Sequence, residues 1–184
     1  SAERSPVPLP RTDDPEALGL MQYTSGSTGD PKGVMLTHWG LIENVRAMGH
    51  AMEATSKDVF VSWLPLYHDM GLIGAWLGCC YFGARLYVMS PISFLVRPAT
   101  WLWTMHKYRA TFSGGPNFAY ELCLSKISEA ELEGIDLSSW RLAFNGAEPV
   151  SASTIERFAE RFAPYGFQRN AMTPVYGLAE AAVG

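Results

Sequence analysis

The chain has 184 residues, of which 48% are hydrophobic and 17% charged, and these values predict a packed domain and exclude a disordered chain. Its formal net charge is −4 and it has no basic run, which argues against a nucleic-acid-binding protein, because such proteins bind mainly by neutralising phosphates. The sequence shows neither a signal-peptide pattern nor an apolar run long enough to span a bilayer. Cys79, Cys80 and Cys123 form no disulfide framework and predict reduced thiols in a cytoplasmic protein.

The two ends of the chain differ from its middle. Residues 1–15 are rich in proline and charge, so we interpret them as a linker or an artificial end of the chain, and residues 16–184 as one α/β subdomain. The chain has no initiating methionine and ends at Gly184, just after an apparent loop. We therefore expect it to be a fragment of a longer protein.

Short β-type segments alternate with helical patterns along the chain. Strands are predicted at residues 18–23, 59–64, 85–89, 110–112, 141–144 and 171–175. Helical patterns follow a predicted N-cap at Thr37, recur over 72–80, 98–108 and 116–127, and continue after a predicted capping box, Ser153-x-x-Glu156. Strands that alternate with helices form parallel sheets through right-handed crossovers. The sequence therefore predicts an α/β fold, with a mostly parallel sheet covered by helices on both faces.

Five unusual polar segments each follow a predicted strand. They are TSGSTG from Thr24, PLYHDMG from Pro65, SGGPN from Ser113, NGAEPV from Asn145 and YGLAE from Tyr176. In an open α/β sheet the carboxyl ends of the strands share one edge, and ligands bind in the crevice there. Segments from the whole length of the chain, including the one after the first strand, are therefore expected to meet at a single site.

The first of these segments predicts a phosphate site. Its glycines let the backbone approach a ligand, its successive N–H groups can surround an anion, and Lys32 adds a positive charge. A flexible turn is the alternative interpretation, but Pro31, Lys32 and the preceding strand favour phosphate. A Walker A loop does not fit, because counting from Gly26 places Pro31 at the second glycine and Gly33 at the hydroxyl residue.

Other chemistries have less support. No Gly-x-Ser-x-Gly motif is present, so a serine hydrolase is not indicated. The histidines show no metal-ligand spacing with the cysteines, and we interpret His38, His50 and His106 as surface or helix-packing residues. His68 differs, because it lies beside Asp69 at the expected ligand edge. Its alternative interpretation is a hydrogen-bonded loop histidine.

Taken together, these segments resemble the adenylate-forming superfamily, which includes acyl-CoA synthetases, luciferases and the adenylation domains of peptide synthetases. YTSGSTGDPKG is similar to its phosphate-loop signature, and YGLAE to its Tyr-Gly-x-x-Glu motif. WLPLYHDMGLIG, FNGAEPV and SGGPNFAYELC resemble the fatty acyl-AMP ligase branch. The similarity covers nearly the whole chain, which would be the central part of the family's large N-terminal domain.

The resemblance implies an ATP-dependent ligase. A fatty acid carboxylate would attack the α-phosphate of ATP, with Mg²⁺ bound, forming acyl-AMP and releasing pyrophosphate. In this branch the acyl group then usually passes to the phosphopantetheine arm of an acyl carrier protein, often in polyketide assembly. A fatty acyl-CoA ligase and a non-catalytic nucleotide-binding or structural fragment stay open as alternatives.

The resemblance also implies the residues that handle the phosphates and the metal. The phosphates would be held by Lys32 and the loop residues Thr24, Ser25, Gly26, Ser27, Thr28 and Gly29. His68 would lie beside the α-phosphate and the acyl carboxylate, so Lys32 and His68 are the candidate catalytic residues. Glu180 would bind Mg²⁺, with Thr24 as a second contact.

The nucleoside would bind at two further segments, again by resemblance. The adenine and ribose side would be formed by Asn145, Gly146, Ala147 and Glu148, largely through backbone atoms. Tyr176 would stack on adenine, and Gly177 would let it approach. An acyl tunnel could include Met70, Trp76 and Phe94, with core packing as the alternative.

The chain departs from the family pattern in two respects. Ala179 stands where many members have a threonine that touches the α-phosphate, although the fatty acyl-AMP ligase branch commonly has this change. The family's ribose-binding aspartate, its hinge and its C-terminal domain with a catalytic lysine lie outside these 184 residues. The isolated chain is therefore expected to be inactive or nearly so.

Overall fold

The computed structural model describes residues 13–24 and 32–182, and its strands form two separate sheets. The smaller sheet pairs β1 (Leu18–Thr24) with β2 (Lys32–Thr37) in antiparallel fashion. The larger sheet comprises β3 (Val59–Ser62), β4 (Arg85–Val88), β5 (Phe112–Gly115), β6 (Leu142–Asn145) and β7 (Met172–Pro174). Its order is β4-β3-β5-β6-β7 and every pairing is parallel. The predicted α/β class is therefore confirmed.

Helices connect the parallel strands. They are α1 (His38–Ala51), α2 (Gly78–Phe82), α3 (Pro91–Val96), α4 (Ala99–Tyr108), α5 (Asn117–Lys126) and α6 (Ala152–Phe162). A π-helix spans Met70–Leu77 and leads directly into α2. Short 3₁₀ turns cover Glu129–Leu132, Ala163–Tyr165, Arg169–Ala171 and Ala179–Ala181. No helix among the described residues is both long and apolar enough to cross a membrane.

The two faces of the parallel sheet are covered by different elements. Along β3, Val59 and Val61 belong to the larger core, where α4, α5 and α6 contribute fully buried rings such as Trp101 and Phe158. The intervening Phe60 belongs to a second core with Phe112 and with Ala75 of the π-helix. This alternation is the period of a strand buried on both faces, and it confirms the prediction of helices on either side.

The expectation that the first strand joins the parallel sheet is wrong. Residues 32–37 form a strand that the sequence did not predict, and this strand, β2, pairs with β1 from Leu18↔Thr37 to Thr24↔Lys32. Two strands joined by a short loop pair antiparallel, because a parallel pair needs a crossover of a dozen or more residues. The serine-glycine loop therefore belongs to a hairpin outside the main sheet.

The strand predicted at residues 110–112 lies further along the chain in the structure, as β5 (Phe112–Gly115). Ser113, Gly114 and Gly115 are strand residues of β5, not the loop that follows it. A Cβ on Gly114 would lie 2.3 Å from the carbonyl oxygen of Phe144, and one on Gly115 would lie 2.4 Å from the Trp63 ring. Neighbouring groups approach the two glycines closely enough to exclude a side chain, which explains why a strand carries the composition of a turn.

Of the N-caps predicted at Thr37 and Ser153, the first is confirmed and the second is wrong. Thr37 caps α1 as predicted, since its side chain accepts a hydrogen bond of 3.1 Å from the Gly40 N–H. The predicted capping box at Ser153 is wrong, because α6 begins earlier and is capped by Ser151, which accepts from the Thr154 N–H. Glu156 instead pairs with Arg169.

A polar network fastens the amino ends of the strands. Asp58 is buried and accepts hydrogen bonds from Thr111 (2.8 Å) and Arg141 (3.3 Å). Burial raises the pKa of the Asp58 carboxyl, but hydrogen bonds from Arg141, Thr111 and Thr55 outweigh it, so the pKa lies below its ordinary value. Arg141 also donates to the carbonyl oxygens of Met52 and Glu53, at 2.8 and 3.0 Å. The end of α1 is therefore fixed to the amino edge of the sheet.

Candidate active site

Four loops lie together at the carboxyl edge of the parallel sheet. They follow β3, β5, β6 and β7, and they contain Pro65–His68, Pro116, Gly146–Glu148 and Val175–Gly177. This arrangement follows from the parallel pairing, which places every carboxyl end on the same edge. Four of the five polar segments that the sequence singles out are therefore neighbours through the main sheet.

A cavity of about 420 Å³ opens at this edge and extends along one face of the sheet. His68, Asp69, Ala147, Tyr176 and Gly177 line it near the ends of the strands. Deeper along the sheet its walls are apolar, and they are formed mainly by Met48, Met52, Phe60, Met70, Leu142 and Phe144. The cavity thus has a polar mouth and an apolar interior, which suits a ligand with a polar head and a hydrocarbon tail.

His68 and Asp69 form an ion pair at the mouth of the cavity. The His68 Nδ1 lies 2.8 Å from the Asp69 Oδ1, and Asp69 also accepts from the Met70 N–H at 2.7 Å, where it begins the π-helix. The hydrogen bond to Asp69 raises the pKa of His68, while the same bond lowers the pKa of Asp69. The His68 side chain is about half exposed, so its imidazole lies between the cavity mouth and solvent.

The β1–β2 hairpin reaches the same edge from outside the parallel sheet. A hydrogen bond from the Gln22 side chain contributes to the lowered pKa of Asp69, so β1 lies against the loop that carries His68. Thr24 and Lys32 are register partners at the loop end of the hairpin, and Lys32 is exposed. Residues 25–31 lie between them, outside the described residues, so the roles predicted for Ser25, Gly26, Ser27, Thr28 and Gly29 stay predictions.

The turn that contains Glu180 packs against the hairpin. The Ala179–Ala181 turn contacts β2, and the buried Ala182 shares a small core with Leu36 and Leu41. Asn44 of α1 donates to the Ala181 carbonyl oxygen at 2.8 Å, which holds the turn in place. The backbones that bear Thr24 and Glu180 therefore lie on the same side of the molecule, although the structure does not describe their side chains.

The segment predicted to line the nucleoside has a fixed backbone. Asn145 is fully buried at the end of β6, and its Nδ2 donates to the Asn117 Oδ1 at 3.1 Å. The Asn145 Oδ1 has no hydrogen-bond partner within the described part of the chain. A Cβ on Gly146 would lie 2.6 Å from the Val175 carbonyl oxygen, so this position accepts only glycine at the present spacing of β6 and β7.

The next two residues bend the chain into the cavity. Ala147 has φ of +66°, a left-handed conformation that costs a non-glycine residue energy and that occurs preferentially at functional sites. The Glu148 Oε1 accepts from the Phe118 N–H at 2.6 Å, so its side chain caps the first turn of α5. Glu148 therefore faces a helix terminus, and only its backbone is free to line a ligand.

Tyr176 offers a flat ring at the mouth. Its side chain lines the cavity and the residue is 83% exposed, a high value for a large aromatic residue next to a buried strand. Gly177 follows it on the same wall. An exposed ring beside a glycine leaves one face open for stacking by a planar group.

The residues expected for an acyl tunnel do not all line this cavity, and its acyl role stays a prediction. Met70 lines the cavity. Phe94 does not, because it is fully buried against Trp63 with a ring-centroid distance of 4.2 Å, and Trp76 is exposed outside the cavity lining. Met48 and Met52 were missed, since their spacing of four residues indicated only the buried face of α1.

Comparisons with known proteins agree with the geometry of the cavity. The AMP-binding enzyme family model matches residues 1–184, and the chain belongs to this family. It is 49% identical over 169 residues to the medium-chain-fatty-acid acyl-carrier-protein ligase TtuA of Teredinibacter turnerae, covering 92% of this chain and 26% of that protein. The corresponding ligase JamA of Moorena producens is also 49% identical, over 168 residues, with 91% of this chain and 28% of that protein covered.

Solved structures lead to the same group of proteins. A crystal structure of a fatty acyl-adenylate ligase from L. pneumophila, in complex with acyl adenylate and pyrophosphate, matches 94% of this chain at 47% identity with a TM-score of 0.89. The match covers 30% of that chain. The present chain thus spans about a quarter to a third of the length of the proteins it resembles.

Proposed function

We propose that this chain is the AMP-binding subdomain, residues 16–184, of a fatty acyl-AMP ligase that joins a fatty acid to AMP. The observation that carries the proposal is the cavity, whose mouth is polar and whose 420 Å³ interior is mainly apolar. An acyl adenylate has the same two halves. The matches to acyl-carrier-protein ligases and to a fatty acyl-adenylate ligase support this assignment.

In the proposed reaction, a carboxylate oxygen of the fatty acid attacks the α-phosphorus of ATP. The bond between the α-phosphorus and the bridging oxygen breaks, and pyrophosphate leaves with that oxygen. No proton is transferred in this step. The protein therefore contributes by positioning the two reactants and by neutralising negative charge.

We assign the charge neutralisation to the cavity mouth and to the loop end of the hairpin. His68, whose pKa is raised by Asp69, would present an imidazolium to the α-phosphate and the acyl carboxylate. Lys32 and the N–H groups of the loop from Thr24 to Gly29 would hold the β- and γ-phosphates and then pyrophosphate. The raised pKa of His68 means that this charge persists to higher pH than for an ordinary histidine.

The nucleoside would lie against the loops after β6 and β7. The backbone of Asn145–Glu148 would face the adenine and ribose, the Tyr176 ring would stack on the base, and Gly177 would allow the close approach. Support comes from the exposure of Tyr176 and from the strained Ala147.

The residues also fit Mg²⁺. The turn bearing Glu180 contacts β2, the strand that begins at the register partner of Thr24, and oxygen ligands such as those of Glu and Thr suit this metal. When bound, Mg²⁺ would neutralise phosphate charge. Glu180 would hold it, with Thr24 as the second protein ligand.

We further propose an acyl carrier protein as the acceptor, because the two relatives carry that acceptor in their names. The three cysteines, all unpaired in the structure, support a cytoplasmic setting. The linker interpretation of residues 1–15 stays a prediction, since residues 1–12 lie outside the described residues.

The proposal is tested on the full-length parent enzyme with two substitutions at the phosphate edge. Lys32→Ala and Glu180→Ala are each expected to weaken Mg-ATP binding by roughly tenfold or more, the loss of about one charge-assisted contact. Lys57→Ala is the matched control, because Lys57 is an exposed lysine in the turn before β3, at the opposite edge of the sheet. Isothermal titration or ATP-dependent thermal stabilisation measures the effect.

Product analysis then separates the alternatives. Hydroxylamine trapping with a panel of fatty acids should yield acyl hydroxamates, and an acyl carrier protein should accept the acyl group. Turnover with free CoA instead would favour the acyl-CoA ligase. Absence of both trapping and ATP-dependent stabilisation would favour a non-catalytic module.

A further inference from the structure

The wall of the cavity contains a glycine that the local packing does not require. Gly74 lies in the π-helix and lines the cavity, and a Cβ added there would meet no atom within 4 Å. Gly71, one turn earlier, contrasts with it, since its Cβ would lie 2.2 Å from the Pro65 carbonyl oxygen. Gly71 is thus needed by the fold, whereas Gly74 leaves open space.

The backbone does not need glycine at position 74 either. Among the described residues, the glycines with positive φ are Gly83, Gly134 and Gly166. Glycine inside a helix is unfavourable relative to alanine, because it loses more conformational freedom on folding. The advantage of Gly74 in this structure is therefore the volume that its missing side chain leaves in the cavity. Irregular π-type turns occur frequently at functional sites, which agrees with this location.

Gly74 stands between the mouth and the deep end of the cavity. His68 and Asp69 precede the π-helix at the carboxyl edge of the sheet, and Met70 follows them in the cavity wall. Met52 lies at the other end, where Arg141 holds its carbonyl oxygen at the amino edge of the sheet. A side chain at position 74 would therefore narrow the passage between the site of chemistry and the deepest part of the cavity.

We propose that Gly74 determines the length of the acyl chain that the enzyme accepts. This inference rests on the proposed function, in which the hydrocarbon tail occupies the apolar interior. Met52, Phe60 and Leu142 line the deep part of the cavity, and Arg141 fixes the end of α1 that carries Met52. With that end fixed, the free volume beside Gly74 decides whether methylene groups can pass beyond it.

The test uses Gly74→Ala and Gly74→Leu in the full-length parent enzyme. Acyl hydroxamate formation is measured with butyrate, octanoate, dodecanoate and palmitate, and kcat/KM is obtained for each acid. For the longest acid accepted by the wild type, Gly74→Leu is expected to lower kcat/KM by roughly tenfold or more, the effect of about one misfitted methylene. For the shortest accepted acid the change is expected to stay within about threefold.

Gly78 provides a matched control. It follows the π-helix directly, has φ of −56°, and does not line the cavity. A Cβ there would meet only the Ile73 carbonyl oxygen at 3.7 Å, which is ordinary contact. Gly78→Ala and Gly78→Leu should therefore leave the chain-length profile as in the wild type, and thermal melting of all four variants checks that they fold.

The outcomes separate this inference from the proposed function. A shift towards shorter acids in the Gly74 variants alone supports it, and a graded shift from alanine to leucine supports it further. An unchanged profile in an active Gly74→Leu enzyme overturns it, as does an equal shift in the Gly78 variants. If the wild-type parent forms no hydroxamate with any fatty acid, the proposed function fails and this inference fails with it.

Discussion

The parallel sheet and the β1–β2 hairpin differ in how much of their surface is buried. All four residues of β3 and of β5 are buried. Val59 and Val61 belong to the larger core with rings such as Trp101 and Trp140, and Phe60 and Phe112 belong to the second core on the other face. Among the described residues of the hairpin one is buried, Leu36, while Tyr23 and Met35 are 70% and 69% exposed. An isolated two-stranded sheet is marginally stable in water.

Because of this difference in burial, we expect the parallel sheet and the hairpin to have different roles in the proposed site. The rigid sheet fixes the cavity, the cap of α5 and the loops that would meet the nucleoside. The hairpin, which carries the serine-glycine loop, is attached through Leu36 and its cluster and through Gln22. Elements with few buried contacts open most readily, so the hairpin is the part of the site expected to move when phosphates enter or leave.

The largest expected effect comes from breaking the core of the sheet. Trp101 is fully buried, contacts the rings of Trp63, Phe94, Tyr120 and Trp140, and donates to the Ser113 Oγ at 2.7 Å. Trp101→Ala is expected to lower the free energy of unfolding by about 3–5 kcal/mol through the cavity it leaves. Urea denaturation of the 184-residue chain measures the loss.

Trp103 is the control for this substitution. It lies on the same helix, is 37% exposed and donates only to the Glu131 carbonyl oxygen. Trp103→Ala is expected to cost about 1 kcal/mol. Equal losses for the two tryptophans would contradict the view that the aromatic core carries the stability of the sheet.

A smaller and more local effect is expected in the hairpin. Leu36→Ala removes the buried side chain that β2 contributes to the cluster with Leu41 and Ala182, at a cost of about 2–3 kcal/mol. Hydrogen exchange should accelerate in β1, β2 and the Ala179–Ala181 turn, while β3 and β5 keep their protection. Met35→Ala, in the same strand but exposed, should leave exchange unchanged.

Hydrogen exchange that accelerates equally in both sheets of Leu36→Ala would contradict the view that the hairpin is held less firmly than the parallel sheet. It would mean that the hairpin and the parallel sheet open as one cooperative unit. The attachment of the phosphate loop would then be as firm as the sheet itself.

The smallest effect on stability is expected for a substitution at Asp69, where the hairpin contacts the loop after β3. Asp69 raises the pKa of His68, so folding energy from this pair is fully present below the unfolded histidine pKa and is lost as the pH rises through the higher folded value. Asp69→Asn should lower the His68 pKa, so that the charge is lost at lower pH. Because His68 is about half exposed, the change in stability should stay below about 1 kcal/mol.

Nuclear magnetic resonance titration of the His68 imidazole measures this shift. Glu160→Gln, an exposed change of the same charge on α6, should leave the His68 titration unaltered. If Asp69→Asn leaves the His68 pKa in place, the ion pair does not control the charge at the cavity mouth.

Several features followed directly from sequence patterns. Alternating β-type and helical segments predicted the α/β fold, and Thr37 was identified as a cap from its place before a helical pattern. In a parallel sheet the polar loops that follow the strands share one edge. His68 and Tyr176 both line the cavity at that edge. These predictions succeed because backbone periodicity and turn chemistry are encoded by residues close together in the chain.

The errors came from contacts between distant residues. Gly114 and Gly115 read as a turn, and only the approach of Phe144 and Trp63 explains them as strand residues. The Glu148 carboxylate caps α5, which begins 31 positions earlier at Asn117, a side-chain contact that the sequence did not indicate, while the backbone role of Glu148 stays a proposal. Local composition cannot distinguish these cases, because the partner that decides each one is brought near by the fold.

The sequence by itself therefore predicted the fold class, the edge of the sheet where four of the polar segments meet, and the resemblance that identifies the family, while the phosphate role of its first loop stays a prediction. Tertiary structure alone decided that the loop belongs to a separate hairpin, that the Ala181 carbonyl is held by Asn44 from 137 positions away, and that α1 and the π-helix enclose an apolar cavity with free space beside Gly74. The physical reason is that secondary-structure and turn preferences depend on residues that are neighbours in the chain. A cavity is the space that remains when distant surfaces pack together, so no single segment of the sequence encodes it.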